Sequence, residues 1–101
     1  AIFLYDRDLQ VVRAGGTELS EVGLSPEEIE GTTPQDRYPP DISEGLTRSL
    51  QDAFAGRSRT FEQEYQGRHY RIQTVPVRAG DGEITHTMAV SQNRTGWIEN
   101  G

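Results

Sequence analysis

Residues 14–31 read AGGTELSEVGLSPEEIEG, and the second half of this stretch holds the strongest local signal in the chain. Ser25 can take up an orphan amide at a helix start. Pro26 suits the first helical position, where no amide hydrogen is needed, and Glu28, three residues after Ser25, can reach back to the cap amide. Gly31 stops the turn. In the first half, Leu19 and Val22 stand three apart and Gly23 follows, which predicts another short helix over 17–22.

What flanks this block sets the fold class. Upstream, Ile2–Tyr5 is an apolar run, Asp6-Arg7-Asp8 is a turn signal, and Leu9–Arg13 resumes as a second strand that Gly15-Gly16 breaks; this predicts an antiparallel hairpin. Downstream, 32–40 is turn-rich and leads into a long helix with one apolar stripe, Ile42, Leu46, Leu50, Ala53 and Phe54, stopped by Gly56. Three strand signals follow: 60–65, then 68–77 after the Gln66-Gly67 hairpin turn, then 83–92 after the 79–82 turn. Two strands, three helices and three strands predict an α+β domain, with helices packed on one side of an antiparallel sheet.

Composition excludes several classes of function. The chain has 101 residues, enough for one core, and its net charge is −6. All 10 basic residues are Arg, and none forms a basic stripe; nucleic acid and anionic membrane surfaces are therefore not expected partners. Cys is absent, which removes disulfides, thiolate nucleophiles and Cys-ligated metals. No apolar run approaches the length of a membrane span. The chain starts inside an apolar run, so it is expected to be cut from a larger, cytoplasmic protein.

The order of elements, the Ala14–Gly31 segment and the Gly82-Glu83 pair that opens the last strand together resemble the PAS family. At the end of the last strand, Gln92-Asn93-Arg94-Thr95 stands where that family commonly has Asp-Ile/Val-Thr, so Asn93 loses the charge. The resemblance implies a domain over 1–95 with a linker stub over 96–101, and a five-stranded antiparallel sheet ordered 2-1-5-4-3. It also implies a sensory input role in signal transduction. In that role a small ligand between sheet and helices, homodimerisation, or both would regulate an attached output domain.

Residue content narrows the ligand chemistry. Without Cys there is no covalent flavin adduct and no thioester chromophore; without Lys there is no Schiff base. Residues 41–55 hold no His, so the family's haem ligation from the long helix fails, and the cofactor stays unknown. His69 and His86 fall in strands and lack a third ligand, so they are read as sheet-face residues, not as a metal site. By the family's register, Thr85, Thr87, Ala89 and Ser91 face the helices, and these small side chains leave room for a ligand. The candidate ligand-binding residues are Leu19, Ile29, Leu50, Phe54, Tyr70, Ile72, Thr87, Ala89 and Ser91. The opposite face, with Ile84, Met88 and Val90, is the candidate surface for a second copy or a flanking helix.

Two other readings stand beside this one. A ligand-free interaction module would dimerise and transmit strain without sensing a chemical. More distantly, Asp6 and Asp8 after an apolar strand partly match an aspartate-based phosphatase, but Gln10 stands where that family prefers Thr and no Lys is present to neutralise phosphate. No catalytic residues are expected.

Overall fold

The computed structural model describes residues 1–16, 19 and 23–94. Eight elements follow one another: β1 (Ile2–Tyr5), β2 (Val11–Gly15), α1 (Pro26–Ile29), α2 (Pro34–Arg37), α3 (Pro40–Phe54), β3 (Arg59–Tyr65), β4 (Arg68–Arg78) and β5 (Ile84–Asn93). The strands form one antiparallel sheet in the order β2-β1-β5-β4-β3, and the helices cover one of its faces. The helix expected over 17–22 and the linker over 96–101 lie outside the described residues, except for Leu19, which is buried.

Local chemistry explains most boundaries. At the β1–β2 turn the Asp6 carboxylate accepts the amides of Asp8 (2.9 Å) and Gln10 (3.1 Å), which turns the chain through its own side chain. Leu9 is thereby held at φ 60°, in the left-handed region. This is why β2 begins at Val11 and not at Leu9, as expected from sequence; it also runs on through Gly15. Asp6 is thus a turn residue with its oxygen already engaged.

The expected cap at Ser25 forms, with the Ser25 amide donating to Glu28 Oε2 at 3.0 Å. Helix α2 falls inside the stretch read as turns. It carries the same device: the Thr33 amide donates to Asp36 Oδ2 at 2.9 Å, and the Asp36 amide to Thr33 Oγ1 at 3.3 Å, with Pro34 at the first turn. Gln66 (φ 52°) and Gly67 (φ 76°) both lie in the left-handed region, the primed turn that matches the twist of a two-residue hairpin.

The helices reach the sheet unequally. On α3, Ser43, Leu46, Ser49, Leu50 and Ala53 are buried, a stripe at helical spacing. Its C-terminal half presents the small Ser49 and Ala53, and Thr74 Oγ1 donates to the Ser49 carbonyl at 3.4 Å, so helix and sheet meet closely there. From the last turn of α3, Asp52 accepts from Arg57 (3.1 Å) and Arg59 (2.6 Å); these bonds hold its carboxyl below the ordinary value. At the edge strand, the Val11 amide donates to the Thr32 carbonyl (2.9 Å) and the Gly31 amide to the Val11 carbonyl (2.7 Å), tying the helical block to β2.

The inner face of the sheet carries Phe3, Tyr5, Val11, Thr74, Thr87 and Ala89, all buried. Thr87 pairs with Tyr5 and Pro76 across the strands, and its hydroxyl has no hydrogen-bond partner. A buried orphan hydroxyl costs about 1–3 kcal/mol. Thr87→Val, which keeps the shape and removes that group, is expected to stabilise the fold by about 1 kcal/mol, read as a higher urea midpoint with an unchanged slope.

Candidate functional site

At the other end of the same face, sheet and helices part around a cavity of about 470 Å³. The floor comes from alternate residues of the strands: Phe3 on β1, Phe61, Gln63 and Tyr65 on β3, Tyr70 and Ile72 on β4, and Ala89, Ser91 and Asn93 on β5. The roof comes from Leu19, Leu24, Ile29, Arg37, Tyr38 and the N-terminal half of α3 through Ile42 and Leu46. Ala89 and Ser91 are the small side chains that β5 contributes.

Six of the nine residues expected to contact a ligand line this cavity: Leu19, Ile29, Tyr70, Ile72, Ala89 and Ser91. Leu50, Phe54 and Thr87 do not. Leu50 and Thr87 are fully buried under the C-terminal half of α3, where helix and sheet are in contact. Phe54 sits at the end of that helix with the Arg7 guanidinium 5.2 Å from its ring centre. Leu50 and Thr87 face inward as expected but lie too far along the sheet to reach the cavity, and Phe54 is only half-buried.

Arg37 is the main chemical group of the cavity, and the sequence reading missed it. Placed by the last turn of α2, it donates to the Tyr5 hydroxyl at 2.6 Å and to the Tyr38 hydroxyl at 3.3 Å. Its guanidinium carbon lies 4.8 Å from the Phe3 ring centre and 4.9 Å from that of Tyr38, so aromatic faces flank the charge. Its Nε is shut off from solvent and has no hydrogen-bond acceptor. No carboxylate among the described residues forms an ion pair with it. Tyr38 in turn meets Tyr65 edge to face, with centroids 5.4 Å apart. The signal that could have found Arg37 is the Thr33-Pro34-x-Asp36 cap, of the same kind as the Ser25 cap.

Burial governs the ionisation of both phenols. It pushes Tyr5 up to about 12, with Arg37 pulling the other way. Burial also raises Tyr38, again against Arg37. Both therefore remain protonated at neutral pH, able to accept from Arg37 and to donate their own hydrogen.

The opposite face of the sheet is divided. Towards β3 it is polar, with Thr60, Arg71, Gln73 and Gln92 around a shallow depression, and His69 Nε2 lies 3.4 Å from Glu62 Oε1. Towards β1 it is apolar: Val90 pairs with Ile2, and Met88 with Leu4 and Val75. Ile84, expected beside Met88 and Val90, leaves this face. A register shift at Val77/Arg78 breaks the alternation, and its Cδ1 packs 3.9 Å from where a Cβ on Gly56 would stand. His86 Nδ1 contacts Thr85 Oγ1 at 3.0 Å. Among the described residues no three His, Asp or Glu side chains gather as a metal site, and no helix is long and apolar enough to cross a membrane.

Comparison with known proteins places this geometry. The model of one protein family, described as the PAS fold, matches residues 1–96. Among solved structures, a sensory box sensor histidine kinase from Vibrio cholerae superposes with a TM-score of 0.73 at 18% identity, covering 92% of this chain and 80% of that one. The PAS domain of the histidine kinase ThkA gives 0.73 at 17% identity, covering 91% and 96%. VqmA of Vibrio cholerae, in a complex with ligand and DNA, gives 0.75 at 17% identity; 98% of this chain matches 51% of that one. At these identities the likeness is one of fold. No curated protein gives a significant match.

Proposed function

This chain belongs to the PAS-fold family, a family of sensory modules, and on that premise we propose that it is the sensory input module of a larger, cytoplasmic signal-transduction protein. In this reading a small molecule held between sheet and helices regulates an attached output domain, and the module itself performs no catalysis. The observation that carries the reading is the cavity of about 470 Å³ between the α-layer and the sheet. Its size suits a small organic ligand, and it combines apolar walls with a few convergent polar groups, as ligand sites do. The structural relatives include domains of histidine kinases and VqmA solved in a complex with a ligand.

The test uses the purified protein. Its absorption spectrum is recorded, it is denatured, and whatever is released is identified by mass spectrometry. A melting scan across a metabolite panel follows. A released compound, or a melting shift that Ala89→Phe abolishes by filling the cavity, supports the reading. An empty protein with no shift favours the ligand-free interaction module instead.

A second element of the proposal is homodimerisation through the outer face. It is supported by the apolar strip of Ile2, Leu4, Met88 and Val90, in which Ile2 is 46% exposed. Light scattering is expected to report a dimer that Val90→Arg converts to a monomer, because a charge in the centre of such a strip cannot be solvated once it is covered. A wild-type monomer at all concentrations would remove this element alone.

A further inference from the structure

The charge pattern of the cavity specifies its ligand more narrowly than the fold does. The walls are mostly apolar, with Phe3, Ile29, Leu46, Phe61 and Ile72 among them. Into this lining the chain places the Arg37 guanidinium, with which no carboxylate among the described residues forms an ion pair. An arginine carries five N–H donors; Arg37 spends two on the phenols of Tyr5 and Tyr38. Its Nε is closed to solvent and so to a ligand as well, which leaves one N–H on each terminal nitrogen. Leaving a cationic donor in a desolvated wall is costly. The protein as a whole is acidic, at −6, yet the one carboxylate that lines the cavity, Glu28, accepts the Ser25 amide at the cap of α1, while Asp52 is engaged with Arg57 and Arg59 and Asp6 in its turn.

We infer that the cavity takes a small amphipathic monoanion, an organic carboxylate on an aromatic or branched aliphatic body, with the carboxylate on Arg37 and the body against the apolar wall. The proposal rests on the reading of the cavity as a ligand site. A carboxylate suits the planar fork of a guanidinium, to which it can bond through two oxygens. One charge is the match because one unpaired guanidinium lies in the wall. Arg68, at the hairpin rim, is exposed and screened by water. Tyr38 supplies a second donor beside the fork, its hydroxyl kept protonated by burial. The Phe3 and Tyr38 rings that flank Arg37 hold the guanidinium in place before the ligand arrives, so little side-chain freedom is lost on binding.

The experiment compares acids with their amides on the same body: phenylacetate with phenylacetamide, and 4-methylpentanoate with 4-methylpentanamide, titrated by calorimetry at pH 7 into the purified protein stripped of any ligand. The acids are expected to bind at least tenfold more tightly than the amides. Arg37→Met, which keeps the apolar stem, is expected to erase that preference, and Arg71→Met, the same charge change on the opposite sheet face, to leave it intact. Amides that bind as well as acids would overturn the anion assignment while leaving the cavity a ligand site. Binding of neither class, with a neutral compound recovered from the native protein, would do the same. Binding of neither, with nothing recovered, would overturn the anion assignment and the ligand-site reading together. The acid–amide comparison needs only the wild-type protein, so it decides the matter even if Arg37→Met does not fold.

Discussion

Leu50→Ala is expected to remove about 2–5 kcal/mol of stability, out of a total of about 5–15 kcal/mol for a domain of this kind. Leu50 is fully buried on the half of α3 that meets the sheet. Its neighbours on the same helix face, Ser49 and Ala53, are small, and the strand below is already braced by the bond from Thr74 to the Ser49 carbonyl. The wall around Leu50 therefore has little freedom to collapse into the vacated space, which sets the loss towards the upper part of the range. Urea denaturation reads it as a lower midpoint at constant slope. Arg48→Ala, on the exposed side of the same helix, is the comparison and is expected to change stability by no more than about 0.5 kcal/mol. Equal effects of the two substitutions would mean that α3 does not pack on the sheet by this face.

The second large effect appears at alkaline pH. Tyr5 is held up to about 12 by burial, against an ordinary value of 10 that it regains when unfolded. Below pH 10 both states hold the proton, and the full stability is present. Above pH 10 the unfolded chain releases the proton while the folded chain keeps it, so the folded state binds more protons and stability falls as pH rises. The loss is complete once pH passes the folded value near 12, and two units correspond to about 3 kcal/mol. Tyr38, also raised by burial, adds a loss of the same sign. Tyr5→Phe is expected to flatten this limb between pH 10 and 12. It should also cost about 1–3 kcal/mol at neutral pH, because Arg37 then loses the acceptor at 2.6 Å. Denaturation series at pH 8, 10, 11 and 12 on both proteins separate the two contributions. An unchanged alkaline limb in Tyr5→Phe would show that other groups govern it.

The site was legible in part, and the division follows the physics. Alternation in β5 identifies Thr87, Ala89 and Ser91 as one face because side chains of a strand point alternately to opposite sides. It says nothing about how far along that face a helix crosses. That is why Ala89 and Ser91 line the cavity while Thr87 lies sealed in the core. Ile84 was misplaced for a related reason: a bulge adds a residue to one strand, and the alternation inverts beyond it. Nothing in the run Glu83-Ile84-Thr85-His86 announces the bulge. Arg37 was missed because its importance lies in Tyr5, 32 residues earlier, and in Phe3, both on another element.

From the amino acids alone came the succession of five strands around a helical block, the buried stripe of α3, the cap at Ser25 and the hairpin turns, and the exclusion of every chemistry that needs Cys or Lys. These are short-range properties, settled by residues a few positions apart through hydrogen bonds, periodicity and composition. Tertiary structure alone decided where the α-layer lifts from the sheet, which residues share the resulting cavity, and that the Arg37 guanidinium is held there by Phe3, Tyr5 and Tyr38. Such an arrangement depends on the angle and position at which distant segments pack, and that is a balance of burial over the whole domain which no local stretch encodes.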